Sequence, residues 1–187
     1  MTSRRRMFMN TIPKEYYVFN GDVPPDGKCN FVHYTKWNTI GSSTSITTPV
    51  ITTYNGKSCL KVQTRDNSST NVVGVSLVET SGIKGSILKH YSSIKIEIAS
   101  VFGVWALGGQ NICLHDSIDG SDYTSNRVTY VGIPQYSGTR NYTIYELPLT
   151  GITLNDDTLY YISYRHQTSK AATSITQYSY ISKVWLE

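Results

Sequence analysis

SSIKIEIAS, residues 92–100, sets Ile94, Ile96 and Ile98 on alternate positions with Lys95 and Glu97 between them. Side chains that repeat every second residue share one face of an extended strand and scatter around a helix. The stretch is therefore a half-buried strand. The same period runs through LKVQTR, where Leu60, Val62 and Thr64 oppose Lys61, Gln63 and Arg65. VVGVSLVE, residues 72–79, is apolar on both faces in places and reads as a central strand.

Turn chemistry separates these runs. Asn55-Gly56 supplies two residues that accept positive φ, so PVITTY and KSCLKVQT are expected to pair as neighbouring antiparallel strands. Further breaks are expected at VPPDG (residues 23–27), SGIKG (81–85) and DGSD (119–122), and SSTSITT (42–48) reads as a surface loop or the lead-in to a strand. RVTYVGI, RNYTIYELPL, TLYYISYRH and QYSYISKVWLE follow as strands. Pro148 marks a strand end or an edge, and the closing Val184, Trp185 and Leu186 tie the C-terminus into a sheet. About nine to eleven strands result, at the spacing of sandwiches and barrels. The fold expected is all-β: an antiparallel β-sandwich of jelly-roll type, with a closed barrel as the alternative that periodicity leaves open.

Composition supports a single domain. The 187 residues include 22 Ser, 22 Thr and 15 Tyr, and only 16% are charged. Ser and Thr favour turns and strands over helices, as Tyr favours strands. The formal net charge is +4, from 17 Lys and Arg against 13 Asp and Glu. Arg4, Arg5 and Arg6 account for three of those charges, leaving a body at +1. A nearly neutral body does not suit wide duplex recognition, which needs clustered phosphate contacts, so nucleic acid is expected at most through the tail.

Three cysteines, Cys29, Cys59 and Cys113, are odd in number and lack a CxxC pair, which indicates neither a disulfide framework nor a zinc site. Met7, Phe8 and Met9 are too short an apolar run for a signal peptide, and no stretch approaches a membrane span. The chain reads as made in a reducing cytoplasm, with no membrane insertion. The boundaries expected are a 1–15 anchoring arm and a 16–187 sandwich domain, the arm docking through Arg4, Arg5, Arg6, Met7, Phe8 and Met9. Such an arm combines a charge patch with an apolar patch and loses its ordering entropy only on docking.

No catalytic motif stands out, and the chain is read as non-enzymatic. The four histidines are scattered, and GxSxG, P-loop and GxGxxG patterns are missing. Glu79, Glu97 and Glu146 fall in expected strands, where a pair across a cleft would suit glycoside hydrolysis and single acids would line a half-exposed strand. Asp116, Asp119 and Asp122 in DSIDGSD offer oxygens for a structural calcium, although the EF-hand spacing is not met and the same residues make ordinary turns. No other cofactor is implied.

Tyrosines crowd the second half: Tyr123, Tyr130, Tyr136, Tyr142, Tyr145, Tyr160, Tyr161, Tyr164, Tyr178 and Tyr180. A flat ring with a polar tip can stack on a sugar at low entropy cost, and it is also an ordinary strand residue. Trp37, Tyr123 and Tyr136 are the expected glycan-binding residues, while Trp105 and Trp185 are assigned to the core.

The R-R-R-Met-rich start, the Ser/Thr/Tyr-rich β body and the closing YISKVWLE resemble small virion structural proteins of tailed bacteriophages, of the tail, fibre or head-decoration kind. SSIKIEIAS, YELPLTGI, LYYISYRH and YISKVWLE are similar to jelly-roll modules of the carbohydrate-binding type. The resemblance implies a virion protein, assembled in the bacterial host cytoplasm, that forms a homo-oligomer or docks on other virion structural proteins and contacts host-surface glycans. Two alternatives stand beside it: a glycan-degrading enzyme on a jelly-roll scaffold, and a cellular carbohydrate-binding module.

Overall fold

A computed structural model describes residues 12–22, 33–38, 45–66, 72–78, 81–102, 110–117, 126–134, 138–169 and 175–187. The described chain runs β1 (Tyr16–Asn20), β2 (His33–Asn38), β3 (Ser45–Tyr54), β4 (Lys57–Asp66), β5 (Val72–Val78), β6 (Ile83–Lys84) and α1 (Gly85–Leu88). It continues through β7 (Ser93–Phe102), β8 (Gln110–His115), β9 (Arg127–Ile133), β10 (Gly138–Pro148), β11 (Leu159–Ser169) and β12 (Ile175–Leu186). No helix among the described residues is long and apolar enough to cross a membrane.

Two antiparallel sheets form. The first has the order β10-β7-β12-β4-β3, with β1 also on β12; the second has the order β2-β5-β11-β8-β9, with β6 also on β11. This is the expected sandwich rather than a closed barrel. Ile94, Ile96 and Ile98 are buried, as are Leu60, Val62 and Thr64, so the period-two reading of both strands holds. From the first sheet the five aliphatic residues among these, with Val184 and Leu186, meet Leu77, Ile112, Leu114, Ile162 and Tyr164 of the second in one core. Each fully buried aliphatic side chain contributes about 1.5–3 kcal/mol relative to exposure.

The local expectations map closely onto this frame. Asn55 and Gly56 adopt φ of 46° and 76°, and β3 pairs with β4 from Tyr54↔Lys57 onward. Pro148 ends β10, which is an edge strand, and Trp185 is buried on β12. Residues 45–48 of SSTSITT belong to β3 itself. SGIKG is more than a break. It holds β6 and the first residue of α1, because Gly85 passes so near the 155–158 turn that a Cβ there would sit 2.0 Å from the Asn155 carbonyl oxygen. Of the arm expected over residues 1–15, Arg4 to Met9 lie outside the described residues, as does Trp105.

Two strands share one edge of β12. β4 pairs with it over Ile175–Ile181, and β1 takes over from Lys183 to Leu186. At the junction the Gly21 N–H donates to the Ser182 carbonyl at 2.8 Å, and the Ser58 hydroxyl donates to the Gly21 carbonyl. A Cβ on Gly21 would lie 2.2 Å from the Ser58 carbonyl oxygen, so only glycine lets the strands meet end to end.

The sheets are also joined by buried polar groups. The Tyr164 hydroxyl donates to Ser179 Oγ at 2.8 Å, and Gln110 Nε2 donates to the Tyr164 hydroxyl at 2.6 Å and to Ser179 Oγ. Ser179 Oγ lies 2.7 Å from His166 Nδ1, and His166 Nε2 lies 2.9 Å from Thr64 Oγ1. With both lone pairs of Ser179 Oγ accepting, its proton goes to His166 Nδ1, which makes the imidazole neutral with its proton on Nε2. Full burial favours that neutral form and lowers the His166 pKa to about 3.

Candidate functional site

The network fixes which way β12 faces. Gln177, Ser179 and Ile181 point between the sheets, so Tyr178 and Tyr180 stand on the outer face of the first sheet. The in-register partners of Tyr180 are Lys61 on β4 and Ala99 on β7. Cys59 and Thr52 share that outer face through their own pairing.

This face is a trough. Tyr54 on β3 and Tyr142 on β10 belong to opposite edge strands, which in a flat sheet lie four spacings, about 19 Å, apart. Their ring centroids are nevertheless 6.3 Å apart in an edge-on arrangement, and the Tyr142 hydroxyl donates to the Tyr54 carbonyl at 3.3 Å. Asn55 Nδ2 also donates to Asn141 Oδ1 at 3.4 Å. The sheet must therefore curl toward the outer side until the two edges touch. A register shift in β10 between Arg140 and Thr143 puts Asn141 and Tyr142 at the contact point.

Rings fill the trough where it closes. Tyr54 and Tyr180 are stacked, with centroids 3.8 Å apart and planes 3° from parallel, and Tyr178 follows 6.2 Å from Tyr180. Ala99 and Cys59 lie beneath and are fully buried although both are on the outward face. Their small size leaves room for the rings. Burial raises the Cys59 thiol pKa against the hydrogen bond with Tyr142, and burial with the same Cys59 contact raises the Tyr142 phenol, so both stay protonated at neutral pH.

Charge is arranged around the rings. Lys57 Nζ bonds Glu97 Oε1 at 2.6 Å and lies 4.9 Å from the Tyr142 centroid. Ser182 Oγ donates to Glu97 Oε2, so both carboxylate oxygens are engaged. Burial works against ionising Glu97, but the bonds from Lys57 and Ser182 and the Lys57 charge outweigh it and hold its pKa below the usual carboxylate value. Lys61 Nζ sits 4.8 Å from the Tyr178 centroid.

The expected site residues fare unevenly. Trp37 lies within β2, an edge strand of the second sheet, paired with Gly74. Tyr123 and Tyr136 lie outside the described residues, as do Asp119, Asp122 and Glu79. Asp116 is exposed after β8, its N–H donating to the Asn126 carbonyl at 3.2 Å. Glu97 does line the trough, whereas Glu146 is exposed on β10 opposite Lys95. Tyr142, Tyr178 and Tyr180 belong to the tyrosine crowd noted in the sequence; Tyr54, beside the Asn-Gly turn, was missed, although its place at a hairpin tip was readable.

No family profile matches the chain, and no curated protein matches it. Solved structures similar to it include a family 11 carbohydrate-binding module from Clostridium thermocellum in complex with a β-1,3-1,4-mixed-linked tetrasaccharide, at 13% identity over 92% of this chain and 94% of that one, with a TM-score of 0.49. The enzymatically active domain of bacteriophage CBA120 tailspike protein 4 is similar at 11% identity and a TM-score of 0.50; the match covers 92% of this chain and 21% of that one. The glycoside hydrolase domain of Endo-D from Streptococcus pneumoniae R6 is similar at 14% identity over 82% of this chain and 21% of that one, with a TM-score of 0.48.

Proposed function

We propose that the protein is a non-catalytic carbohydrate-binding sandwich of a bacteriophage particle, holding a host-surface glycan in the tyrosine trough of the first sheet. The observation that carries this reading is the meeting of Tyr54 and Tyr142 across the sheet, which turns an open strand surface into a concave, ring-lined site. Concave sites with a few placed polar groups suit small ligands and chain segments. Tyrosine serves sugars in particular, since its ring covers the apolar face of a pyranose while its hydroxyl joins the polar rim.

Glu97 supports binding over cleavage. A glycosidase acid must hold its proton near neutral pH, which requires a raised pKa, whereas Lys57 and Ser182 keep this carboxylate ionised and engaged. The virion setting rests on the resemblance of the arm and body to tailed-phage structural proteins. There Arg4 to Met9 dock on a neighbouring virion protein or a second copy, and many copies turn weak single contacts into avidity.

The test is binding to immobilised bacterial surface polysaccharides, compared with the Tyr178→Ala variant, alongside an assay for released reducing ends. Binding that weakens in the variant with no release supports the proposal. Reducing ends that appear and are lost in Glu97→Gln would establish the enzyme alternative.

A further inference from the structure

The trough runs along the strands, and one level of it is filled from edge to edge. Tyr142 reaches from β10 over Ala99 of β7 to the far side of the sheet, where its hydroxyl meets the Tyr54 carbonyl of β3 at 3.3 Å and the Cys59 thiol of β4. Tyr54 in turn stacks on Tyr180 of β12 at 3.8 Å, which is van der Waals contact and admits nothing between the rings. This wall has depth as well. Two residues along β7 from Ala99, about 7 Å further down the trough, Glu97 bonds Lys57 of β4 at 2.6 Å, and the ion pair spans β12 between them. On the opposite side of the wall stands Tyr178, half-exposed, with Gln63 and Val101 as its in-register neighbours and Lys61 Nζ 4.8 Å from its centroid.

From this wall we infer that the site recognises the end of a glycan chain and excludes the interior of one. The inference rests on the glycan-binding reading and deepens it. A linear polysaccharide in a trough open at both ends binds through interior sugars, each continued by glycosidic bonds in two directions. Here continuation in one direction meets Tyr180, Tyr54 and Tyr142 packed against one another, with the Lys57–Glu97 pair behind them. Tyr54, Tyr180 and Tyr178 are near-parallel, successive planes differing by 3° and 21°. A terminal sugar therefore stacks on Tyr178, the last of the three, with Lys61 and Gln63 beside it to bond its hydroxyls. An interior sugar would have to displace the wall, which gives up the ring packing, the Tyr142 bonds and the ion pair together.

The experiment uses the full chain on immobilised lichenan, polygalacturonate and a bacterial O-polysaccharide. Each polymer that is bound is then offered in solution as a competitor at equal mass, either intact or shortened by mild acid hydrolysis. Hydrolysis that shortens the chains about tenfold multiplies the ends per gram about tenfold, so by mass action the hydrolysate is expected to compete about tenfold better. Tyr142→Ala removes the ring that crosses the trough and is expected to bring the two competitors level, whereas Tyr142→Phe keeps the ring and the preference. Equal competition by the two in the unaltered chain, with binding weakened by Tyr178→Ala, would overturn the inference and leave the glycan-binding function intact. A preference that persists in Tyr142→Ala would also overturn it, since the wall would not be its cause. No binding to any of the three polymers would defeat both readings.

Discussion

Tyr142 and Tyr54 stand on opposite edges of one sheet and meet ring to ring, their centroids 6.3 Å apart. The contact closes the curvature of the sheet, and two local devices place its residues: the Asn55-Gly56 turn and the register shift in β10.

Removing the Tyr142 ring should open the trough. Tyr142→Ala is expected to weaken glycan binding about tenfold, corresponding to about 1.4 kcal/mol, in isothermal titration. Tyr142→Phe keeps the edge-on packing and loses only the bond to the Tyr54 carbonyl, so it should retain most of the affinity.

Ala99 lies fully buried beneath the rings, so a larger side chain has to displace its neighbours. Ala99→Leu should cost about 1–3 kcal/mol in urea denaturation through overpacking. It should also reduce binding, because the rings above it must move.

At the strand junction, Gly21→Ala drives a methyl group into the Ser58 carbonyl. A backbone atom cannot swing aside as a flexible side chain would. The expected result is separation of β1 from β12, read as faster amide exchange at Phe19 and Lys183, with a lower melting temperature.

Acid should expose the buried network. His166 titrates at about 3 in the fold against 6.5 when unfolded, so between these values the unfolded chain binds more protons. Its contribution is whole above pH 6.5 and declines as pH falls toward about 3, approaching a slope of about 1.4 kcal/mol per pH unit. Glu97, with a lowered pKa, adds stability above 4.5 that is lost in stronger acid. His166→Gln should be less stable at neutral pH and lose part of the slope between pH 6.5 and about 4.5 measured by chemical denaturation.

The sandwich was legible because its strands keep their period, as in Ile94–Ile98 and Leu60–Thr64, and because Asn-Gly and Pro148 mark a turn and an edge. The site was less so. In QYSYIS the usual polarity is inverted: Gln177 and Ser179 face the core, where Ser179 bonds His166 and Tyr164, while Tyr178 and Tyr180 face out. That assignment depends on partners from β8, β11 and β4, which sequence spacing does not bring together. The meeting of Tyr54 with Tyr142 likewise depends on sheet curvature across 88 residues of separation. The place of Trp37 in β2 is also set by pairing with β5, which lies 37 residues on in the case of Gly74.

The most direct test is amide NMR of the full chain during titration with acidic and neutral oligosaccharides. The account predicts that perturbations cluster at Tyr54, Lys61, Tyr142, Tyr178 and Tyr180. Perturbations confined to the outer face of the second sheet, around β2 or β9, or none with either ligand, would contradict it.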